Sequence, residues 1–486
     1  MSGPYVAAVY QGHDASVAVV GNGKIVHLEH ERFTRERHAT GDCTADLLPK
    51  ACALMGVDPK EISAIAGISG ALSLAPSFWE SAMDLVETEP RTIAGIEAKG
   101  YSMPHHACHA AYAFYTSPFK AARIFAMDGG GDSMKLPMWK QYNLSIDCFT
   151  GQGAGEKLHL EWVPTSWVGG MWHNASNGVF DKSHCEGKLM ALVGVPEDRW
   201  GETGLSPDLR DEFVRMQALT NVRFRQLLPH NFGAEPLVMA GGCALNGIAT
   251  YDLLKNEMVK RIHVPPSVDD GGITVGACLY LLHQVMGVPR FRFMPEDIAF
   301  CGWTDPELEG EPPIEQIAAL LARGQTVALA HGKAESGPRA LGHRSILADP
   351  RPRSMKDRIN AIKGREKYRP VAPVILREYA EEYFNLIDPT AYSFMTMICD
   401  AKQRMKDECP AGVHYDGTAR VQVVDKGTVL GDIIEAFRQI TGVPVVLNTS
   451  FNIGGEAICN DAAQARDTFA RSSIDALCVG SELTVR

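Results

Sequence analysis

Three histidines stand close together in the segment His105-His106-Ala107-Cys108-His109. His105 and His109 are four residues apart, so on an α-helix their imidazoles would lie on the same face. Two imidazoles on one helix face can supply half of a metal site. The same pattern also fits the start of a helix whose polar histidines are hydrogen-bonded within the protein, and the sequence leaves both interpretations open.

Two aspartates are the best candidates for the oxygen ligands that a divalent ion would also need. Asp128 follows the apolar run Ile124–Met127, and Asp270 lies in the segment Asp269-Asp270-Gly271-Gly272. Two imidazoles and two carboxylates suit iron, manganese or zinc. Aspartate beside glycine also commonly caps a helix or stabilises a turn, so this alternative stays open.

Two further histidines are candidates for acid-base chemistry. His13 lies in a turn between two apolar runs, and His38 ends the charged segment 30–38. A histidine that is neutral near pH 7 can accept the proton of an attacking alcohol. A surface histidine on a charged helix would give the same pattern.

The densest group of basic residues lies in the C-terminal part of the chain. Its members stand among glycines and apolar residues, and they are Arg339, Arg344, Lys363, Arg365, Lys367 and Arg369. Arginine forks bind phosphate oxygens in pairs, lysine acts as a point charge, and glycine allows close backbone approach. We therefore predict an anion pocket here, with a solvated basic face as the alternative.

Small polar side chains follow a predicted strand at Pro444–Leu447, in the segment Asn448-Thr449-Ser450-Phe451-Asn452. Ligands commonly bind at the carboxyl ends of strands in α/β sheets. A turn that only caps its neighbours is the alternative interpretation.

Apolar runs and turn residues predict the elements that must position these side chains. The N-terminal runs predict strands at Tyr5–Tyr10, Ala15–Val20 and Lys24–Leu28. Two later runs each precede glycines: Ile124–Met127 before a turn at 128–132, and Leu237–Ala240 before 241–247, with a helix starting near Asn246. Strand, glycine turn and helix aim backbone amides at a phosphate, and Gly130, Gly241, Gly242 and Asn246 are the candidates. The spacing lies outside the dinucleotide and Walker patterns, which favours an actin-like ATPase core.

A segment rich in proline and acidic residues, 304–313, predicts a boundary between domains at 1–303 and 314–486. After it, the pattern predicts a mixed α/β domain. Its predicted elements are a helix at Ile314–Arg323, strands at Thr326–Ala330, Pro444–Leu447 and Ala476–Val479, and a helix at Ala462–Arg471.

Composition narrows the function classes. The chain has 486 residues, of which 45% are hydrophobic and 22% charged, and its net charge is -11. This charge argues against nucleic acid as a partner, and the 12 scattered cysteines form no disulfide or zinc pattern. We find neither a long apolar run nor a secretory signal, so we expect a cytoplasmic protein without a membrane partner.

Ten segments resemble, in the same order, motifs of the carbamoyltransferases of nodulation-factor and antibiotic biosynthesis, and together they span essentially the whole chain. They are GHDAS at 12–16, ERFTRERH at 31–38, HHACHA at 105–110, MDGGGD at 127–132, EGK at 186–188, GGCALNG at 241–247, ESGPRALGHRSILADPR at 335–351, KYRPVAP at 367–373, DGTARVQ at 416–422 and LNTSFNIGGEAI at 447–458.

This resemblance implies an N-terminal domain similar to the threonylcarbamoyl-transferring protein of tRNA modification, with an actin-like core. It also implies a C-terminal mixed α/β domain similar to threonylcarbamoyl-adenylate synthase. The implied activity has two half-reactions. ATP, with Mg²⁺, and carbamoyl phosphate would give carbamoyl-adenylate and pyrophosphate in the C-terminal domain. The carbamoyl group would then pass to a hydroxyl of a small molecule in the N-terminal domain.

The resemblance also implies roles for individual residues. Iron, or else manganese or zinc, would be held by His105, His109, Asp128 and Asp270. His13 and His38 would face the acceptor, with His38 as the general base. ATP and carbamoyl phosphate would be bound by Arg339, Arg344, Lys363, Arg369, Arg420, Asn448 and Ser450. Asp269 stands where the family often has glycine, so the choice between Asp269 and Asp270 as the ligand stays open.

Two rival enzymes share parts of this pattern. An actin-like small-molecule kinase would also have glycine-rich phosphate turns, but it would not need the histidine cluster or the arginine-rich domain. A threonylcarbamoyl transferase acting on tRNA would share both domains, but an acidic chain is a poor partner for tRNA. The sequence does not identify the acceptor or decide whether the protein forms a homodimer.

Overall fold

The computed structural model describes residues 3–68, 85–135, 143–162, 168–180, 185–228 and 235–486. The contacts divide the chain into two compact units. Unit 1 consists of 1–174, 225–246 and 257–302, and unit 2 of 175–224, 247–256 and 303–486. Two segments that precede residue 303, namely 175–224 and 247–256, thus belong to unit 2, a feature absent from the sequence-based division. The activity expected of each half stays a prediction.

The strands in chain order are β1 (Tyr5–Tyr10), β2 (Ser16–Gly21), β3 (Lys24–Glu29), β4 (Ile62–Ile68), β5 (Val86–Ile93), β6 (Ile96–Met103), β7 (Ala121–Lys135), β8 (Asn143–Ala154), β9 (Lys157–Trp162), β10 (Leu237–Ala240), β11 (Ile262–His263), β12 (Val327–Ala330), β13 (Arg344–Ala348), β14 (Ala372–Leu376), β15 (Cys399–Asp400), β16 (Thr418–Ala419), β17 (Gln422–Val424), β18 (Val445–Ser450), β19 (Ala476–Val479) and β20 (Glu482–Val485).

The helices in chain order are α1 (His30–Thr34), α2 (Thr44–Met55), α3 (His105–Thr116), α4 (Val168–Phe180), α5 (Glu186–Val193), α6 (Asp208–Leu227), α7 (Gly247–Lys255), α8 (Ile273–Leu279), α9 (Pro295–Ala299), α10 (Ile314–Ala322), α11 (Met355–Ile362), α12 (Arg377–Tyr383), α13 (Gln403–Glu408), α14 (Val429–Thr441) and α15 (Ala462–Arg471). In the described part of the chain, no helix is both long enough and apolar enough to cross a membrane.

Unit 1 contains two mixed sheets, with strand orders β3-β2-β1-β4-β6-β5 and β11-β10-β7-β8-β9. In the first sheet, β1, β2 and β3 pair antiparallel, as the apolar runs predict, and β4 and β6 continue the sheet in parallel. An antiparallel trio extended by parallel strands in this order is the arrangement of an actin-like core. The predicted α/β class is therefore confirmed.

The turn predicted after Met127 is wrong. The strand β7 continues through the glycines to Lys135, and its pairing with β8 shifts register between Met127 and Asp132. Extra residues on one strand of an antiparallel pair form a bulge, which redirects the side chains next to it. The glycine-rich segment thus interrupts the pairing without ending the strand, and Asp128 lies in the interruption.

Close packing at glycines brings the ends of several elements together in unit 1. A Cβ atom at Gly276 on α8 would lie 1.9 Å from the carbonyl oxygen of Cys108 on α3. At Gly241, where φ is 86°, a Cβ atom would lie 2.0 Å from the carbonyl oxygen of Met127. Only glycine permits both the left-handed backbone and this approach.

Unit 2 is built on a sheet with the order β17-β14-β18-β13-β12-β19-β20. The predicted helix Ala462–Arg471 and strand Ala476–Val479 have the expected bounds, and the helix predicted at Ile314–Arg323 ends one residue earlier. The strand predicted to end at Leu447 continues to Ser450 as β18. Asn448 and Ser450 therefore lie on the strand and not in the loop after it.

Candidate functional site

Three buried side chains and one partly buried side chain, from three parts of unit 1, meet in one cluster. The Nε2 atoms of His105 and His109, one turn apart on α3, are 3.1 Å from each other. The Oδ1 atom of Asp270, just before α8, is 3.2 Å from His105 Nε2 and 3.3 Å from His109 Nε2. The Oδ2 atom of Asp128, on β7, is 3.4 Å from His105 Nε2 and 3.8 Å from His109 Nε2. The structure thus brings together all four residues proposed from the sequence.

The second oxygen of each carboxylate is held by the protein. The amide of Gly242 donates to Asp128 Oδ1 at 2.8 Å. The Tyr10 hydroxyl donates to Asp270 Oδ2 at 2.9 Å, and His13 Nε2 lies 3.2 Å from the same oxygen. Sequence reasoning missed Tyr10, whose only signal is its place at the end of β1 immediately before the histidine turn.

The charges in this cluster stabilise one another. Burial lowers the pKa of His105, but Asp270 and Asp128 outweigh it and hold that pKa well above its ordinary value. Burial raises the pKa of Asp128, but hydrogen bonds from His105 and His109 outweigh it and hold that pKa well below its ordinary value. The carboxylates therefore favour positive charge beside them, which either protonated imidazoles or a metal ion bound by neutral imidazoles can supply.

The donor set fits a divalent metal ion. One ligand atom from each residue lies within 4.8 Å of all the others. Atoms bound to one ion at about 2.0 to 2.2 Å are about 3 to 4 Å apart, which agrees with the distances among these four. Two carboxylates would balance the charge of a divalent ion, and neutral imidazoles complete a common ligand set.

The structure distinguishes the two adjacent aspartates. Asp270 contributes to the cluster, whereas Asp269 Oδ1 lies 3.5 Å from the Ser267 hydroxyl. Burial raises the pKa of Asp269 well above its ordinary value, and Asp14 and Glu29 raise it further. Geometry therefore favours Asp270 as the ligand.

His38 lies beyond α1, not on a charged helix, and it is held by two acidic residues. Its Nδ1 atom is 2.7 Å from Asp14 Oδ1, and its backbone amide donates to Glu31 Oε2 at 2.9 Å. His38 and Asp14 both have left-handed φ angles, 58° and 63°. An ionised carboxylate can only accept, so Nδ1 carries the proton and Nε2 carries the lone pair that a base needs.

Burial lowers the pKa of His38, but the hydrogen bond and charge of Asp14 outweigh it, so the pKa lies above its ordinary value. The orienting role of Asp14 was missed from the sequence. Its only signal was its position next to His13.

The predicted phosphate turn in unit 1 is arranged differently from the expectation. The amide of Gly241 donates to the carbonyl of Val268 at 2.8 Å, and that of Gly242 donates to Asp128. Gly130 lies within β7, and Asn246 is buried directly before α7. The amides of Gly241 and Gly242 therefore hold the aspartate loops and do not fit a phosphate-binding role.

In unit 2, β18 joins several of the predicted binding residues. Lys363 Nζ donates to the Ser450 hydroxyl at 2.9 Å and also contacts Asn452. Asn448 is buried, and its amide donates to the carbonyl of Ala340 at 3.1 Å. The strand end and the glycine-rich loop after Arg339 are thus connected directly.

Three arginines near this strand form a group of like charges. Burial, followed by the charge of Arg369, lowers the pKa of Arg365 to about 9 and that of Arg420 to about 10. A carboxylate oxygen of Glu366 lies 3.9 Å from Arg369. Half-buried guanidinium groups whose pKa is lowered by a neighbouring positive charge would gain from a bound anion.

Two family models match this chain. The family model described as carbamoyltransferase N-terminus matches residues 78–203 and 205–279, and the one described as carbamoyltransferase C-terminus matches 318–486. Nodulation protein U of Rhizobium fredii is 34% identical over 95% of this chain and 92% of its own. The corresponding protein of Rhizobium tropici is also 34% identical, over 93% of this chain and 92% of its own. The chain belongs to the carbamoyltransferase family.

Solved structures matched by this carbamoyltransferase are more remote. The match to component A of the (R)-2-hydroxyglutaryl-CoA dehydratase of Acidaminococcus fermentans covers 57% of this chain and 97% of the component's own chain, with 14% identity and a TM-score of 0.35. Full-length HypF covers 59% of the chain and 56% of its own, with 12% identity and a TM-score of 0.36.

Arg344 of the carbamoyltransferase does not join the other arginines. Its guanidinium is fully buried and donates to the carbonyl oxygens of five residues. These are His331, Gly332, His343, Asn460 and, at 3.4 Å, Trp303. Every nitrogen is engaged, so the ligand-binding role expected from the sequence does not fit this geometry. The arginine holds the loops around the glycine-rich segment in place.

We predict that Arg344→Lys lowers the free energy of unfolding by about 3 kcal/mol or more, because an ammonium cannot satisfy five carbonyls that a guanidinium fork serves. Arg369→Lys, at a partly exposed arginine near Glu366, is the matched control and should cost about 1 kcal/mol or less. Urea unfolding of the full chain measures both. Similar small losses in the two variants would contradict the role given to Arg344.

Proposed function

We propose that the protein is an ATP-dependent O-carbamoyltransferase that transfers the carbamoyl group of carbamoyl phosphate to a hydroxyl of a small molecule. One observation carries this proposal: a carbamoyltransferase chain combines two chemically opposite sites. Unit 1 has a buried cluster of imidazoles and carboxylates that suits a cation. Unit 2 has half-buried arginines and a buried lysine that suit phosphates.

The first half-reaction would take place in unit 2. Carbamoyl phosphate loses its phosphate to water and gives carbamate and inorganic phosphate. A carbamate oxygen then attacks the α-phosphorus of ATP, the bond to the bridging oxygen breaks, and pyrophosphate leaves with Mg²⁺. Lys363, Arg369 and Arg420 would bind the phosphates and stabilise the charge that develops on them.

Asn448, Ser450 and Arg339 would orient the substrates of this half-reaction. Asn448 and Ser450 lie on the same strand, and Lys363 donates to the Ser450 hydroxyl. Arg339 directly precedes Ala340, whose carbonyl accepts from Asn448. The binding groups are therefore held by each other before a ligand arrives, which reduces the entropy lost on binding.

The second half-reaction would take place in unit 1. The acceptor hydroxyl attacks the carbamoyl carbon while His38 Nε2 takes its proton, and AMP leaves with the oxygen that joined it to the carbonyl. Asp14 holds the imidazole in the required tautomer and stabilises the imidazolium that forms. His13, at the edge of the cluster, would face the acceptor. A divalent metal held by His105, His109, Asp128 and Asp270, with iron, manganese and zinc as candidates, would polarise the carbonyl as a Lewis acid.

The first test is pyrophosphate release from ATP with carbamoyl phosphate present or omitted and without an acceptor, followed by mass spectrometry. We expect release that depends on carbamoyl phosphate, one inorganic phosphate for each pyrophosphate, and a species with the mass of carbamoyl-adenylate. Formation of ADP in place of pyrophosphate would support the alternative of an actin-like small-molecule kinase.

The adjacent aspartates allow a matched test of the metal site. We predict that Asp270→Asn lowers bound metal at least tenfold, measured by elemental analysis of the purified protein, because one of the four ligands loses its charge. Asp269→Asn should keep the metal, and both variants should release pyrophosphate within about twofold of the parent. Full metal content in Asp270→Asn would refute this ligand assignment.

The Asp14 contact predicts a pH dependence. A base must be deprotonated, so the transfer rate should fall as the pH drops through the raised pKa of His38. Asp14→Asn removes the stabilising charge, so the pKa of His38 should fall and the acidic limb of the rate profile should move to lower pH. The maximum rate should also fall at least tenfold because the tautomer is no longer fixed.

Histidine proton resonances report this pKa directly by NMR titration, and AMP release with a hydroxylated acceptor gives the rate profile. Glu36→Gln, at an exposed carboxylate two residues from His38, is the matched control and should leave both unchanged. An unchanged His38 titration in Asp14→Asn would show that the carboxylate does not set this pKa.

A further inference from the structure

A cavity of about 460 Å³ opens in unit 2, and none of the residues assigned above to substrate binding lines it. Its walls come from the start of α11 and from the turn between His414 and Thr418, among other segments. The side chains that give it chemical character are Arg199, Arg353, Lys356, Lys406, His414 and Tyr415.

Positive charge predominates in this cavity, whose lining has four cationic side chains and two carboxylates, Asp357 and Asp416. Among the residues that the structure describes, no carboxylate lies within ion-pair distance of Arg353, Lys356 or Lys406. The nearby Asp416 is used by its own turn, since its Oδ1 accepts from the Thr418 amide at 2.9 Å and the Thr418 hydroxyl at 2.7 Å. Three cations around one concave space attract an anion.

The aromatic wall of the cavity is itself close to cations. The Nζ atom of Lys356 lies 4.0 Å from the centre of the Tyr415 ring, and the guanidinium carbon of Arg199 lies 4.9 Å from it. Cation–π attraction at these distances restrains Lys356, a side chain that would otherwise move freely. The ammonium is thereby positioned before a ligand arrives.

The turn that carries Tyr415 is rigid. The His414 amide donates to the Thr418 carbonyl at 2.8 Å, and the Gly417 amide donates to the His414 carbonyl at 3.0 Å. Gly417 has a φ of 81°, which favours glycine. A tight hydrogen-bonded turn holds the aromatic ring and the imidazole next to it in fixed positions.

His414 connects the cavity with the arginines of unit 2. Its Nδ1 lies 3.0 Å from the Thr418 hydroxyl, and its buried Nε2 has no hydrogen-bond partner in the described chain. The pKa of His414 is lowered to about 4, chiefly by burial. Asp416 raises this pKa, whereas Arg420 and Lys356 lower it further. The Thr418 hydroxyl donates to Asp416, so Nδ1 carries the imidazole proton. The neutral ring can therefore accept a hydrogen bond from a ligand at Nε2 without repelling its cationic neighbours.

We propose that this cavity is a second phosphoryl-binding site, in which Lys356, Arg353 and Lys406 bind the phosphate group of a small molecule and His414 Nε2 accepts a hydrogen bond from an O–H or N–H group of the same molecule. This proposal rests on the proposed function only for the identity of the ligand, whose phosphate group would belong to carbamoyl phosphate or to the nucleotide. The charge pattern itself does not depend on which reaction the enzyme catalyses.

The test is calorimetric titration of the full chain with inorganic phosphate at low ionic strength. Lys356→Gln should weaken one component of the isotherm by about fivefold or more, because a charge-assisted hydrogen bond is lost. Lys356→Arg should restore much of that binding. Lys426→Gln, at a lysine of unit 2 that pairs with Glu378 outside the cavity, is the control and should bind phosphate as the parent does.

Phosphate also fits the arginines assigned to ATP binding, so Arg369→Gln should leave the component that depends on Lys356 intact. If Lys356→Gln has no effect, or Lys426→Gln has an equal one, the proposal fails. Competition then identifies the source: displacement of phosphate by carbamoyl phosphate alone indicates the donor, and displacement by AMP indicates the nucleotide.

Pyrophosphate release by the parent enzyme is measured in a separate assay, so that the cavity site and the proposed reaction are tested independently. Binding that depends on Lys356 in a protein that makes no carbamoyl-adenylate would retain the cavity and reject the proposed reaction. Formation of carbamoyl-adenylate without phosphate binding that depends on Lys356 would support the proposed reaction and reject the proposed cavity site.

Discussion

The burial of two carboxylates is the constraint on which unit 1 depends. Removing one ionised carboxylate from water costs several kcal/mol unless it is paired and hydrogen-bonded, and Asp128 and Asp270 lie side by side. The compensating charge comes from protonated His105 and His109 or from a divalent ion that they would bind as neutral imidazoles, while Gly242 and Tyr10 donate to the remaining oxygens. The cluster therefore requires α3, β7 and the loop before α8 to lie close together. The close backbone contacts at Gly241 and Gly276 follow from that requirement.

Unit 2 shows two solutions to the burial of a guanidinium group, and they separate structure from binding. Arg344 is surrounded by carbonyl oxygens that use all its nitrogens, so it contributes to the fold and leaves nothing for a ligand. Arg365 and Arg420 lie near Arg369, where burial and like charge lower their pKa values. Such an arrangement stores electrostatic free energy that a bound anion releases. The two kinds of arginine stand in one basic sequence pattern, and only their neighbours in space distinguish them.

The sequence predicted those features that depend on nearby residues. Apolar runs gave the strands at Tyr5–Tyr10 and Leu237–Ala240, and the four-residue spacing of His105 and His109 placed both imidazoles together on α3. Prediction from the sequence failed where segments distant along the chain determine the local structure. The strand β7 continues past Met127 because β8 offers backbone partners, and the contact of His38 with Asp14 spans 24 residues. The inclusion of 175–224 in unit 2 is a long-range packing result with no local signal.

The turn after β1 links the two parts of the proposed transfer site. His13 lies 3.2 Å from an oxygen of Asp270, whereas its neighbour Asp14 lies 2.7 Å from His38. Adjacent residues thus reach the cation cluster and the proposed base, and the left-handed φ of Asp14 makes this divergence a property of the backbone. A base and an electrophilic centre must act on one acceptor oxygen and one carbonyl carbon, so the rate depends strongly on the distance between them. Because a single short turn fixes that separation, a shift at residues 13 and 14 would displace both partners of the reaction together.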